Sequence, residues 1–133
     1  MKKVRRHKER IWTLQVLYGL DLKDDFNVEQ AKIECENIKE RNNLDSDQYY
    51  FEKLINGVID SKDSLDEYIN KKAVDWTINR MAIVDRNILR LALYEIENDM
   101  VPVGVAIDEA VELAKEYGDE KSPGFINGIL SRA

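Results

Sequence analysis

The chain has 133 residues, 44% of them hydrophobic and 35% charged, with a net charge of −6. That balance describes one folded domain with a core of useful size and excludes a disordered chain. No apolar run approaches the roughly 18–20 residues needed to span a bilayer, and no apolar stretch follows the basic N-terminus, so neither a membrane span nor a secretory signal is expected. A single cysteine, Cys35, excludes an internal disulfide and suits a reducing cytoplasm.

Charge is unevenly placed. Residues 1–10 hold Lys2, Lys3, Arg5, Arg6, Lys8 and Arg10 against Glu9 alone, a local net of +5, which leaves −11 on the other 123 residues. A short basic arm on an acidic body points to nucleic acid, with a solubilising tail as the plain alternative. Ile11, Leu14, Leu17 and Tyr18 recur at helical spacing, so the arm runs into a first helix ending near Leu20. Its first turns read as charged on all sides and frayed until a ligand orders them.

Asp24-Asp25 mark a turn. A second helix, about Asn27–Glu40, offers a thin apolar stripe of Val28, Ala31, Cys35 and Ile38, where Cys35 reads as a small core residue rather than a reactive thiol. Asn42-Asn43 break the chain, and Asp45 or Ser46 can cap the next helix. Phe51, Leu54, Ile55, Val58 and Ile59 form its stripe; Ser61–Ser64 interrupt the pattern before Leu65, Tyr68 and Ile69 resume it, which favours two helices over one. Trp76, after Lys71-Lys72, reads as a plug between an N-terminal half (about 1–75) and a C-terminal half (about 76–133).

Met81–Glu97 is the most apolar segment and the natural central helix. Asp85, Arg86 and Arg90 near its start must find water or a protein partner. Val101–Leu130 then reads as two short helices. Gly118 stands where the first of them needs a left-handed terminator. Ser122-Pro123 restarts the chain as N-cap and first helical residue, with Phe125, Ile126, Ile129 and Leu130 following. The whole pattern is all-α, about six to seven helices.

Catalytic and metal-binding constellations are largely excluded. One histidine, His7, and one cysteine cannot build a Cys/His zinc site or the Glu-x-x-His pairs of a di-iron bundle. Gly118, Gly124 and Gly128 do not form a phosphate loop. Adjacent acids such as Asp108-Glu109 point apart on a helix. No enzyme activity, cofactor or metal is expected.

Three stretches carry a resemblance. Gln15–Tyr18 (QVLY), Ile83–Glu95 (IVDRNILRLALYE), and Val105–Gly118 (VAIDEAVELAKEYG) with its continuation Ser122–Leu130 (SPGFINGIL) occur in the order and spacing of the NusB family of bacterial transcription antitermination factors. The chain resembles that family over nearly its whole length, least at Asn27–Asn43. The resemblance implies an all-helical fold in two small subdomains. It also implies binding of boxA-type single-stranded RNA together with NusE, a small-subunit ribosomal protein, so that the transcription elongation complex resists termination, notably in ribosomal RNA operons.

On the matching positions the resemblance puts the RNA surface at Lys3, Arg5, Arg6, Lys8 and Arg10, then Tyr18, then Phe125 with Lys121 in the turn beside it. Read alone, Tyr18 and Phe125 suit core packing as well as base stacking. The NusE contact maps to Asp85, extended here to neighbouring Arg86. Two departures stand out. Glu9 lies inside the basic cluster, where it should weaken phosphate attraction, and bulky Trp12 stands where the family usually has a small residue. A helical adaptor without an antitermination role, acting as a homodimer or an RNA-targeting module, is the alternative.

Overall fold

A computed structural model describes all 133 residues. It contains α1 (Arg6–Leu22), α2 (Val28–Arg41), α3 (Tyr50–Lys72), a 3-10 turn (Ile78–Arg80), α4 (Ile83–Glu97), α5 (Val103–Tyr117) and α6 (Ser122–Leu130). There are no strands, and no helix is long and apolar enough to cross a membrane.

Helix α4 is the organising element, packed by α1, α3, α5 and α6. Its sequence explains the position: Ile88, Leu89, Leu91, Ala92 and Leu93 are all sealed, so apolar side chains leave on every side and each needs a neighbour. Polar pairs fix the directions. Arg10 near the start of α1 meets Glu95 near the end of α4, while Asp21 near the end of α1 meets Arg86 near the start of α4. The two helices are therefore antiparallel. Likewise Tyr50 of α3 reaches Glu95 and Asp66 reaches Arg90, so α3 and α4 are also antiparallel.

Helix α1 serves two cores at once. Leu14 and Leu17 enter the larger cluster with α3, α4, α5 and α6. Trp12, Val16 and Leu20 enter a smaller one with Ala31, Cys35 and Ile38 of α2 and with Tyr49, Phe51 and Ile55. Trp12 fills that second space edge-on against Phe51, ring centroids 5.3 Å apart. Its bulk is thus a packing feature. The larger cluster draws on both sides of residue 75. Cys35 is sealed as expected, and burial pushes its thiol up to about 12, which leaves it a small apolar filler.

Several expectations are corrected. Helix α3 is one continuous helix of 23 residues, not two. Ser61–Ser64 lie toward its outer side, where Ser64 donates back to the Ser61 carbonyl and Lys62 pairs with Asp66. Neither Asp45 nor Ser46 caps it; Tyr49 is the N-cap, and Glu52 accepts its backbone N–H at 2.9 Å. Val28 is exposed and leaves the stripe of α2 to Ala31, Cys35 and Ile38.

Gly118 is extended (φ −89°, ψ −170°), not left-handed. A Cβ there would sit 2.5 Å from the Ser122 side chain and 2.8 Å from the Ala114 carbonyl, so glycine is needed for close approach. The left-handed positions are Asp24, Asn43, Asp75 and Asp99, residue types that tolerate that region at chain reversals. The turn into α6 is held by Asp119, whose Oδ1 accepts from the backbone N–H groups of Lys121 (2.8 Å) and Ser122 (3.1 Å). Ser122 is buried behind it and its Oγ accepts from the Asp119 N–H, so the two residues cap each other. Pro123 sits in the first turn of α6, and Phe125 two residues on is half-buried against the larger cluster.

Candidate nucleic-acid interface

The basic arm divides into free and committed charges. Lys3, Arg5 and Lys8 are exposed, unpaired, and line an open cleft of about 420 Å³ beside Ile11 and Leu44. Arg6 is exposed, yet its guanidinium lies 4.0 Å from the Tyr50 ring centre and 2.9 Å from Glu9. Arg10 is not part of the surface at all. It is 2% exposed and forks onto the fully buried Glu95 through contacts of 2.8, 3.1 and 3.2 Å. The expected RNA contact through Arg10 is therefore withdrawn: its Nε and Nη2 donate to Glu95 and its Nη1 lies 3.8 Å from Glu109, so the guanidinium is committed inside the bundle. Glu9 is buried too, accepting from the Phe51 N–H at 3.2 Å, so it does not lie among the exposed phosphate-facing charges. The first turn of α1 is accordingly two-faced, with an inner acid–base pair of residues and an outer cationic side.

His7 pins the arm to α5. Its Nδ1 is 2.8 Å from Glu109 and its Nε2 is 2.6 Å from Glu116. Only the imidazolium can donate to both. The Glu109 hydrogen bond leads in raising the His7 pKa, against the opposing effect of burial and with help from Glu116. The N-terminal residues are tied as well, since the Lys2 N–H reaches Asp45 and its Nζ reaches the Asn42 carbonyl.

Beyond the arm, Lys8, Ile11, Gln15, Tyr18 and Leu22 follow at spacings of three and four, which sets them on one outer face of α1. Tyr18 is 38% exposed there, whereas Leu14 points inward. Lys8 and Tyr18 thus share a face. Phe125 and Lys121 lie in a different feature, a groove of about 600 Å³ that also takes in Asp85, Ser122, Asp119, Arg80 and Trp76. No residue of this groove belongs to the cleft of the arm.

Trp76 is the residue that sequence reasoning misplaced. It is no plug between halves: it is 49% exposed and stands edge-to-face with Phe125, centroids 6.3 Å apart. The signal was present in its flanks, since Asp75, Thr77 and Asn79 give it no helical stripe to join.

The two residues read as a partner contact behave differently from free charges. Arg86 turns inward and donates to both carboxylate oxygens of Asp21 at 2.7 Å, so it is already satisfied. Burial would raise the Asp21 carboxyl, but Arg86, Asn87 and Arg90 together hold it below the usual carboxylate range. Arg90 is sealed between Asp21 and Asp66. The expectation that these charges seek water or another protein fails for both arginines, because α1 and α3 supply the counter-charges. Asp85 is nine-tenths buried, opens onto the Phe125 groove, and leaves its Oδ1 without a hydrogen-bond partner. Burial pushes its carboxyl up; the Ser122 hydroxyl opposes the shift and Asp119 adds to it.

The family is then decided by comparison. The NusB family matches residues 7–133. The chain belongs to the NusB family. It is 55% identical over 131 residues to the transcription antitermination protein NusB of Halothermothrix orenii, covering 98% of this chain and 97% of that one. Its fold superposes on Thermotoga maritima (T. maritima) NusB with a TM-score of 0.86 at 34% identity, covering 98% and 91% of the two chains. It also superposes on a crystal structure of the antitermination factors NusB and NusE in complex with double-stranded RNA, with a TM-score of 0.78, 28% identity, and coverage of 97% and 96%. Arg10, Tyr18, Asp85, Lys121 and Phe125 all fall inside the NusB-family match; Lys3, Arg5 and Arg6 precede it.

Proposed function

We propose that this NusB-family chain is a transcription antitermination factor that binds boxA-type single-stranded RNA together with the ribosomal protein NusE in the cytoplasm. In that reading it helps the transcription elongation complex resist termination in ribosomal RNA operons. The observation that carries the proposal is a free cationic leader, Lys3, Arg5 and Lys8, continuing onto the exposed face that bears Tyr18, on a body of net −11. Phosphates supply affinity at such a leader, and flat side chains supply the contacts that unstacked bases need. Lys121 and Phe125, in a groove separate from the arm's cleft, form a second part of the RNA surface at the start of α6. Arg6 joins it by leaving Tyr50; Arg10 supports it from inside. NusE, or any protein contact at Asp85, has to reach that carboxylate through the groove.

The test is a titration of fluorescent boxA-type RNA, single-stranded and as a duplex, with and without NusE. Tyr18→Ala and Phe125→Ala should each weaken single-strand binding about 5- to 150-fold, the value of one base–aromatic stack. Binding that is indifferent to both substitutions, or equal for the duplex, refutes single-strand recognition by these rings. Failure of RNA to bind with or without NusE leaves the helical adaptor as the better description.

A further inference from the structure

Residues 2–5 precede the first helix, where a chain is poorly ordered unless something ties it down. Here several contacts do. The Lys2 N–H donates to Asp45 Oδ2 at 3.2 Å, and its Nζ donates to the Asn42 carbonyl at 3.0 Å, at the end of α2 where a cation also meets the helix dipole. Asp45 is itself held from the core side, since its Oδ1 accepts from the hydroxyl of buried Tyr49 at 2.9 Å and from the Asp47 N–H at 3.1 Å. Val4 is half-buried against the smaller core cluster, while Lys3 and Arg5 on either side of it are exposed. The cleft of about 420 Å³ is lined by this leader and by Asn42 and Leu44, so its shape depends on where the leader sits.

The anchors engage Lys2 and Val4 and leave Lys3, Arg5 and Lys8 without an acidic partner. A latch that competed with RNA would pair those very cations. A free chain end loses conformational entropy for each residue that a ligand orders, whereas an anchored one has lost it before the ligand arrives. We propose that Val4 and Asp45 are positioning residues for RNA, fixing the leader in the free protein so that Lys3 and Arg5 are displayed beside Lys8 to the phosphate backbone. The inference rests on the RNA-binding reading and adds to it a leader that is preformed.

The experiment uses the full-length protein with boxA-type RNA as the probe. Anisotropy of labelled RNA over a salt series gives affinity and slope, and amide nitrogen relaxation at Lys3, Val4 and Arg5 gives their order in the free protein. Val4→Ser is the main variant, since it lies outside the helices. Asp45→Ala is the second, and Asp45→Asn keeps an acceptor for the Lys2 N–H and the Tyr49 hydroxyl. In wild type the leader amides should be as ordered as those of α1. Val4→Ser and Asp45→Ala should each loosen them and weaken RNA binding about 5- to 30-fold, the cost of ordering roughly one residue. The salt slope of Val4→Ser should match wild type, because the same phosphates are met once RNA is bound; Lys3→Ala should instead flatten it by roughly 0.7. Asp45→Asn should recover most of the affinity that Asp45→Ala loses.

Leader amides that are mobile in wild type, or Val4→Ser binding as tightly as wild type, overturn the proposal and leave the broader RNA reading standing. So does a flattened slope in Val4→Ser, which would mean a lost contact, or an Asp45→Asn defect as large as that of Asp45→Ala. Tighter binding by both Asp45 variants overturns it in favour of a loop that competes with RNA. No binding of RNA to wild type removes both readings.

Discussion

Replacing Arg10 by alanine should unfold much of the protein's margin of stability while leaving the outer surface of the arm intact. The side chain is 2% exposed and its partner Glu95 is fully sealed, joined by three contacts of 2.8–3.2 Å. Alanine would leave the carboxylate with the Tyr50 hydroxyl as its remaining donor in a sealed site. Breaking a buried pair from one side costs about 3–5 kcal/mol. With an unfolding entropy near 2.1 cal/mol/K per residue, the melting temperature of a 133-residue domain falls about 3–4 °C per kcal/mol. The expected loss is therefore about 10–18 °C. Thermal melting followed by circular dichroism measures it and urea unfolding gives the free energy, with Lys8→Ala as the surface control expected within about 0.5 kcal/mol of wild type. Arg10→Met combined with Glu95→Leu should recover most of the loss, because the desolvated pair is replaced as a unit. If Arg10→Ala is no less stable than Lys8→Ala, the buried fork is wrong and Arg10 returns to the surface.

The His7 clasp should strengthen stability in acid. Its folded pKa is raised, chiefly by the Glu109 hydrogen bond against burial, so its contribution is complete below about pH 6.5 and is lost as pH rises through the folded value. The stability gap between wild type and His7→Gln should accordingly narrow as pH rises above about 6.5 in a denaturation series; a gap that widens contradicts the clasp. Asp85 has the opposite consequence from an ordinary paired carboxylate. Its pKa is raised by burial, so ionisation destabilises the fold above the unfolded value of about 3.8, and Asp85→Asn should be more stable than wild type at neutral pH but not in strong acid. Calorimetry showing Asp85→Asn less stable at pH 7 would reject that. Gly57→Ala should cost about 1–3 kcal/mol despite better helix propensity, because the new Cβ overlaps the Tyr94 ring; equal or higher stability on thermal melting counts against that packing.

What the sequence revealed follows physical range. Helix α4 and the outer face of α1 were legible because their apolar or polar positions repeat every three or four residues. The start of α6 was placed to within a residue because Ser122-Pro123 is local chemistry, but Ser122 is the first helical residue and not the N-cap, Lys121 holds the N-cap position, and the carboxylate that serves the turn is Asp119. Serines on the outer side of α3 broke the apolar pattern without breaking the helix. The harder cases depend on contacts between residues far apart in the chain. Arg10 reads as one more cation in a basic arm until Glu95, 85 residues away, is brought beside it. Arg86 reads as a free charge until Asp21 meets it from α1. Trp76 reads as buried because tryptophan usually is, and only its placement beside Phe125 shows the exposed ring.

The most direct measurement of the central claim is the salt dependence of boxA-type RNA binding by wild type and by the combined Lys3→Ala, Arg5→Ala, Lys8→Ala variant, each with and without NusE. Three lost phosphate contacts at roughly 0.7 each on a single strand should flatten the log–log slope by about 2, with thermal stability unchanged. A variant that keeps the wild-type slope and affinity contradicts the account, because the free charges of the leader would then carry no RNA.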